Sequence, residues 1–307
     1  MPMLRRFCGR VYPMQVSARD PDNGGVSLGA HPELAAVDDS LVAPGLQVGV
    51  GEYLSQMWAR RDYMRHVPST TLRSRYMNTA LGNLWQLLNP LISLGTYFLI
   101  FGLVLGTRTG VDDFLPFLTI GIFVYSFTQR ATITGSRSIT RNKGLVRSLV
   151  FPRAILPVTS VVTEWLAFLP GLALAILVSL AWGNYPTLLW LALPLVVLLH
   201  MILNIGFALV AARLNDAYRD FEQILPFVFR MVFYGSGVLF AVENVVSEST
   251  RRFFLINPLY DVIEVYRWVL LDNTARPAEA VVALAWTAVM TPFGLWFFRR
   301  VEPTYAH

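Results

Sequence analysis

Apolar positions gather into six long blocks, roughly residues 84–106, 114–134, 155–182, 187–212, 224–242 and 279–298, separated by short polar or basic connections. Each block is close to the ~20 residues an α-helix needs to cross hydrocarbon, so the pattern predicts six transmembrane helices. Pro170 and Pro194 interrupt the third and fourth blocks and predict tilt or kinks, while "WGNYP" (182–186) reads as a tight turn between them. An even number of spans puts both termini on the same side.

Two other stretches are apolar without being spans. "EYLSQMWARRDYMRHV" sets Leu54, Met57, Trp58 and Met64 near one helical stripe, turns Arg60, Arg61 and Arg65 towards the other side, and then meets Pro68. That pattern predicts an amphipathic helix within residues 52–83 that lies in the headgroup layer, its cations on anionic membrane lipids. "RRFFLINPLYDVIEVYRWVLL" (251–271) is broken by Asn257-Pro258 and carries Asp261, Glu264 and Arg267, so it cannot cross hydrocarbon as a simple span. It predicts external helices that are partly inserted, with irregular backbone shielded by protein. Residues 1–51 lack helical periodicity and read as a mobile cytoplasmic extension; residues 301–307 read as a cytoplasmic tail.

Composition sharpens this picture. The chain is 54% hydrophobic and 15% charged, far from an ordinary soluble domain. A lone cysteine, Cys8, and four scattered histidines offer neither a disulfide nor metal-ligand spacing, so no metal site and no redox chemistry are expected. The short connections in the order 60–83, 135–154, 213–223 and 299 onward hold 14 Arg and Lys, against 5 in the connections on the opposite side. The excess predicts that those connections and both termini are cytoplasmic in a multi-pass inner-membrane protein.

The stretch "ITRNKGLVRSLVFPRAILP" (139–157) holds the only lysine, Lys143, with Arg141, Arg147 and Arg153 and no acid. Because Lys143 follows Asn142 and precedes Gly144, the chain has no GxxxxGK[ST] phosphate loop, so ATP and Mg would be bound by another polypeptide and no catalytic residue or cofactor is expected here. Leu145, Val146, Leu149 and Val150 form one apolar stripe on a short helix that Pro152 ends. Such a helix can dock into a partner's groove, or the basic connection can simply obey the orientation rule.

From Tyr63 to Leu105 the chain reads "YMRHVPSTTLRSRYMNTALGNLWQLLNPLISLGTYFLIFGLVL", which resembles the start of the ABC-2 type exporter permeases. "GLVRSLVFPRAILP", "LNDAYRDF" (214–221) and "INPLYDVIEVYR" (256–267) follow in the same order as that family's coupling segment, second cytoplasmic loop and external loop. The likeness covers about residues 53–300 and is nearest to permeases that export O-antigen, teichoic acid and related lipid-linked polysaccharides. The arginine richness and basic N-terminal extension would suit an actinobacterial member such as a galactan precursor exporter.

The resemblance implies a homodimer bound to ATP-binding cassette subunits, with a polyprenyl-linked glycan as cargo, cell-wall biogenesis as the setting and no nucleic acid as partner. It assigns partner coupling to Arg141, Lys143, Leu145, Arg147, Leu149 and Arg153, with Asp216, Arg219 and Asp220 from the second cytoplasmic loop. It lines the channel with the first and fifth spans, where the aromatics Tyr97, Phe98, Phe101, Phe227, Phe233 and Tyr234 and the cation Arg230 are candidates for cargo contact. Asn257, Pro258, Tyr260 and Arg267 are its external gate candidates. Glu164 is expected to pair with Arg130, His200 to be a hydrogen-bonded packing residue, and Asp216, Asp220 and Glu222 to form ion pairs with neighbouring arginines. Two other readings share much of the pattern: an ABC-2 exporter of small lipids or drugs, and a membrane enzyme of lipid-linked sugar assembly, which would need clustered acid, base or metal-binding groups.

Overall fold

The computed structural model describes residues 49–75, 81–104, 113–148, 151–271 and 275–300. The expected N-terminal extension (all but its last residues), the C-terminal tail and Leu149 lie outside the described residues. Thirteen α-helices make up the described fold, with no strand among those residues. They run α1 Val50–Ala59, α2 Arg61–Arg75, α3 Trp85–Tyr97, α4 Phe114–Ser136, α5 Ser138–Arg141, α6 Lys143–Ser148, α7 Ile155–Ala181, α8 Leu193–Ala217, α9 Phe221–Tyr234, α10 Val242–Val245, α11 Glu248–Phe254, α12 Pro258–Leu271 and α13 Pro277–Arg299.

Among the described residues, three helical segments are long and apolar enough to cross a membrane: Ile155–Ala181, Leu188–Ala217 and Pro277–Arg299. Their outer faces carry large apolar side chains in the open, including Leu177, Leu195, Leu198, Leu284 and Val289, which is the surface that hydrocarbon rather than water would cover. The chain is therefore an all-helical, multi-pass membrane protein. α4 has 23 residues but sits at the centre, with Phe117, Leu118, Phe123 and Phe127 buried against α7, α8 and α12. A helix surrounded by protein can carry Gln129, Arg130 and several hydroxyls without facing lipid.

The six-block pattern meets its first correction in the fifth block. Residues 224–242 are not one helix: α9 ends at Tyr234, about 21 Å of helix and short of the ~30 Å hydrocarbon core. Gly235 to Phe240 form a turn and a bend instead, with Gly237 at φ +61° in the left-handed region that a side chain disfavours. The first block is likewise divided, into α3 and a π-helical segment Phe98–Val104. Pro194 does not kink the fourth block; it stands in the first turn of α8, where its missing N–H costs nothing, after the 3₁₀ turn Leu188–Ala192. "WGNYP" is the tight turn expected, with Gly183 at φ +95° and the Asn184 amide donating to Asp113 at 3.0 Å.

α8 and α13 pack backbone to backbone. A Cβ on Gly294 would stand 2.6 Å from the Gly206 carbonyl oxygen, and one on Gly206 would stand 2.8 Å from that of Met290. Small residues at such a crossing let van der Waals packing hold helices together where no hydrophobic driving force exists between them. α12 lies inside this assembly, with Tyr260, Ile263, Tyr266 and Leu270 buried against α4, α8 and α13, so this stretch is shielded by protein as its composition demands.

The interfacial stretch is a helix pair rather than a single helix. A turn at Arg60 separates α1 from α2, and Pro68 is buried inside α2 rather than ending it. In α1 the expected stripe divides: Met57 faces the protein beside Tyr53, whereas Leu54 and Trp58 are exposed. α1 thus carries apolar residues both towards the bundle and on its exposed side.

Candidate functional site

Three places collect the residues singled out by sequence. The first is the basic connection after α4. α5 and α6 are single turns broken at Asn142, whose side-chain amide donates to the Ser138 carbonyl at 2.8 Å. Val146 is buried and Leu145 half-buried in a satellite cluster with Tyr53, Met57, Phe151, Ile155 and Phe298. Leu145 and Val146, the described half of the apolar stripe, therefore pack within this chain. Arg153 is buried as well, because Phe151 and Ala154 on either side of it anchor the corner that opens α7. Of the expected coupling set, Arg141 and Lys143 remain exposed, and Arg147 is helical.

The turn between α8 and α9 comes close to that connection. Asn215 donates to the Ser136 carbonyl at 3.0 Å and accepts the Glu222 N–H at 3.1 Å, which fixes the turn to the end of α4. Arg213 pairs with Asp216 at 3.9 Å and Arg137 with Glu222 at 3.6 Å; Arg219 and Asp220 are exposed. Arg137, Arg141, Lys143 and Arg219 border a cavity of about 450 Å³. Asp216 and Glu222 are thus ion-paired as expected, no ion pair is seen for Asp220 among the described residues, and Arg137 is the member that sequence reading missed.

The second place is an aromatic seam where α3 meets α9. Tyr97 and Phe233 rings are 5.1 Å apart, Tyr125 meets Phe233 edge-on at 5.1 Å, and Tyr97 bonds Tyr234 through its hydroxyl. Tyr125 also donates to the Phe229 carbonyl. Phe227, Arg230 and Tyr234 stand exposed on the same helix, Arg230 over the Phe227 ring at 5.8 Å. Phe101 lies 6.5 Å from Tyr97, while Phe98 is drawn aside to stack on Phe114. α9 has only Leu225 and Phe229 buried, so the fifth block presents an aromatic face with one cation.

The third place is the turned corner after α9. Arg267, buried in α12, donates to the carbonyls of Gly237 at 2.9 Å, Val238 at 3.1 Å and Phe117 at 3.3 Å, and to Glu264 at 2.7 Å. Its guanidinium lies over the Phe117 ring, 3.2 Å from the centroid. Asn257 caps α12 by accepting the Leu259 N–H at 3.1 Å, and its amide donates to Gly235 and Ser236. Tyr260 is buried, with Phe254 edge-on at 5.7 Å. The expected external gate residues therefore surround one corner. Around it, Arg276 bridges Glu243 at 2.8 Å and Glu264 at 3.5 Å, and Arg251 bridges Glu279 at 2.9 Å. Arg251, Arg276 and Glu279 were not foreseen; the Arg-Pro-x-Glu spacing at 276–279 was the available signal.

A fourth arrangement joins α2 to the bundle. Glu164, fully buried in α7, accepts from Arg75 at 2.6 Å and faces Arg130 at 3.7 Å. The Arg130 pairing was expected; that of Arg75 was not, since it bridges 89 positions. His200 contacts the Thr128 hydroxyl at 2.7 Å and Tyr266 at 3.4 Å among aromatic rings, a packed polar residue. Among the described residues no group of His, Cys, Asp or Glu is arranged to hold a metal ion.

Comparison with known proteins adds a family to this geometry. Residues 69–271 match the model of the ABC-2 type transporter. The chain is 26% identical over 236 residues to the O-antigen export system permease protein RfbA of Myxococcus xanthus, covering 76% of this chain and 90% of that relative. It is 26% identical over 247 residues to the RfbA of Klebsiella pneumoniae, covering 80% and 94%, and 23% identical over 237 residues to the polysialic acid transport protein KpsM of Escherichia coli, covering 75% and 90%. With the matched region spanning α3 to α12 and part of α2, the chain belongs to the ABC-2 type transporter family.

Proposed function

We propose that this chain is the channel-forming subunit of an ATP-driven exporter that moves lipid-linked polysaccharide from the cytoplasmic to the outer face of the inner membrane. The observation that carries this reading is the likeness to O-antigen and polysialic acid transport proteins over 90% or more of their length. The membrane is crossed six times, by α3 with its π-helical extension, α4, α7, α8, α9 with its corner, and α13. Both termini are cytoplasmic. Two copies face each other across a channel, each bound to an ATP-binding cassette subunit that holds ATP and Mg, and the chain itself makes or breaks no covalent bond.

The parts then have distinct duties. Arg141, Lys143 and Arg219 meet the ATPase, whose stroke is passed through Asn215 and Glu222 to α9. The exposed side of α9, with Phe227, Arg230 and Tyr234, and Tyr97 of α3 line the path, where aromatic faces let sugar rings slide and Arg230 meets the cargo's phosphates. The corner held by Arg267 closes the outer end.

The test is to deplete the protein in its host and size the polyprenyl-linked glycans on each face of the membrane by their accessibility to added glycosidase. Full-length glycan trapped inside is the expected result, and its sugar composition, galactan or other, names the cargo. Truncated glycan would make the protein an assembly enzyme, and an unchanged pool would make it an exporter of small lipids or drugs.

A further inference from the structure

The cavity between α5, α6 and the α8–α9 turn is lined by four cations and a single carboxylate. Arg137 is the one that the carboxylate, Glu222, partners. Arg141, Lys143 and Arg219 have no ion pair among the described residues, although Asp216 lies within electrostatic reach of Lys143 and Arg219. Holding like charges around one opening costs free energy unless an anion enters. Thr140 and Asn215 add a hydroxyl and an amide to the same wall. The walls are fixed from below: Asn142 closes the α5 turn and Asn215 ties the second wall to the end of α4.

We propose that this cavity is a binding site for a phosphate group. Three guanidiniums offer planar forks suited to phosphate oxygens and Lys143 a point charge, while about 450 Å³ exceeds what one phosphate fills and leaves room for a second phosphate or a headgroup. The site does not depend on the export reading, because an anion can be tested on the purified chain alone. If that reading also holds, the anion lies directly beneath the cations that meet the ATPase and screens their mutual repulsion.

Two sources share this chemistry, a soluble phosphate and a lipid headgroup at the cytoplasmic surface. Inorganic pyrophosphate is titrated calorimetrically into the detergent-purified chain, and in parallel the chain is placed in bilayer discs of phosphatidylcholine with or without phosphatidylglycerol and its retained phosphatidylglycerol measured. Thr140→Glu, which puts a carboxylate into the cavity, and Arg219→Gln, on an exposed turn, are compared with Arg252→Gln at the far end of the molecule. The expected result is that wild type and Arg252→Gln bind alike and both cavity variants bind at least tenfold more weakly. Binding of pyrophosphate identifies a site open to soluble phosphate; retention of phosphatidylglycerol alone identifies the headgroup. No binding of either, or binding equal in all four proteins, overturns the proposal. Loss of a co-purifying ATPase in the cavity variants with anion binding unchanged also overturns it and assigns the cavity to an acidic segment of that partner.

Discussion

Arg267 donates to three backbone carbonyls and a carboxylate from one planar group, so no other side chain can take over all its bonds. Lysine offers a single point charge that cannot span Gly237, Val238 and Phe117 together. Arg267→Met would leave Glu264 buried with only Arg276 at 3.5 Å and free the corner after α9. A destabilisation of about 3 kcal/mol is expected, seen as a lower thermal midpoint of the purified protein, and Arg267→Lys should recover less than half of it. A midpoint within a degree of wild type for Arg267→Met would remove the corner's dependence on this residue. The sequence identified Arg267 as an ionisable group unsuited to hydrocarbon, but its main-chain partners lie 29 to 150 positions away, which no residue pattern encodes.

At the scale of elements, the attachment of α2 rests on the short bond between Arg75 and Glu164. A carboxylate buried at the middle of an apolar helix is costly unless cations reach it, and Arg75 arrives from outside the bundle. Glu164→Gln keeps the volume but weakens this tie, so the amides of residues 61–75 should exchange hydrogen about tenfold faster, equivalent to about 1.4 kcal/mol of local opening. Exchange that stays unchanged in α2 would show that packing on α7 alone retains it. Helix existence was legible here from periodicity, and even the Arg130–Glu164 pair from matching depth. The division of α1's apolar residues was not, because Tyr53 and Leu54 are both apolar and distant partners draw Tyr53 inward: its hydroxyl accepts the Ala154 N–H at 3.3 Å and the Arg299 guanidinium lies over its ring at 4.7 Å.

For the whole molecule, counting apolar blocks and basic connections placed the long helices α7 and α13 to within two residues at each end, and found α8 although that helix runs on to Ala217, past the block's end at 212, since lipid-facing spans must be apolar along their length. It failed at α9, where an apolar run continues through Gly235 and Gly237 while the helix ends at Tyr234. Composition reports what surrounds a residue and says little about chain direction. The orientation can be read with single cysteines in a Cys8→Ser background. Thr187→Cys, exposed in the turn before α8, should react with an impermeant maleimide on intact cells, and Thr140→Cys only after lysis. The reverse pattern would invert the topology and with it the direction of export.

The backbone contact between Gly206 and Gly294 bears on motion as well as on packing. Two helices that meet with no side chain between them have no layer of rotamers to rearrange, so α8 and α13 travel as one stiff beam. α9, joined to the end of that beam by the three-residue turn Tyr218–Asp220 and held to the bundle through Leu225, Phe229 and the Phe233 ring, is the lever that can swing against it. In the proposed exporter the opening stroke would therefore fall to α9, with its hinge at the turn Tyr218–Asp220.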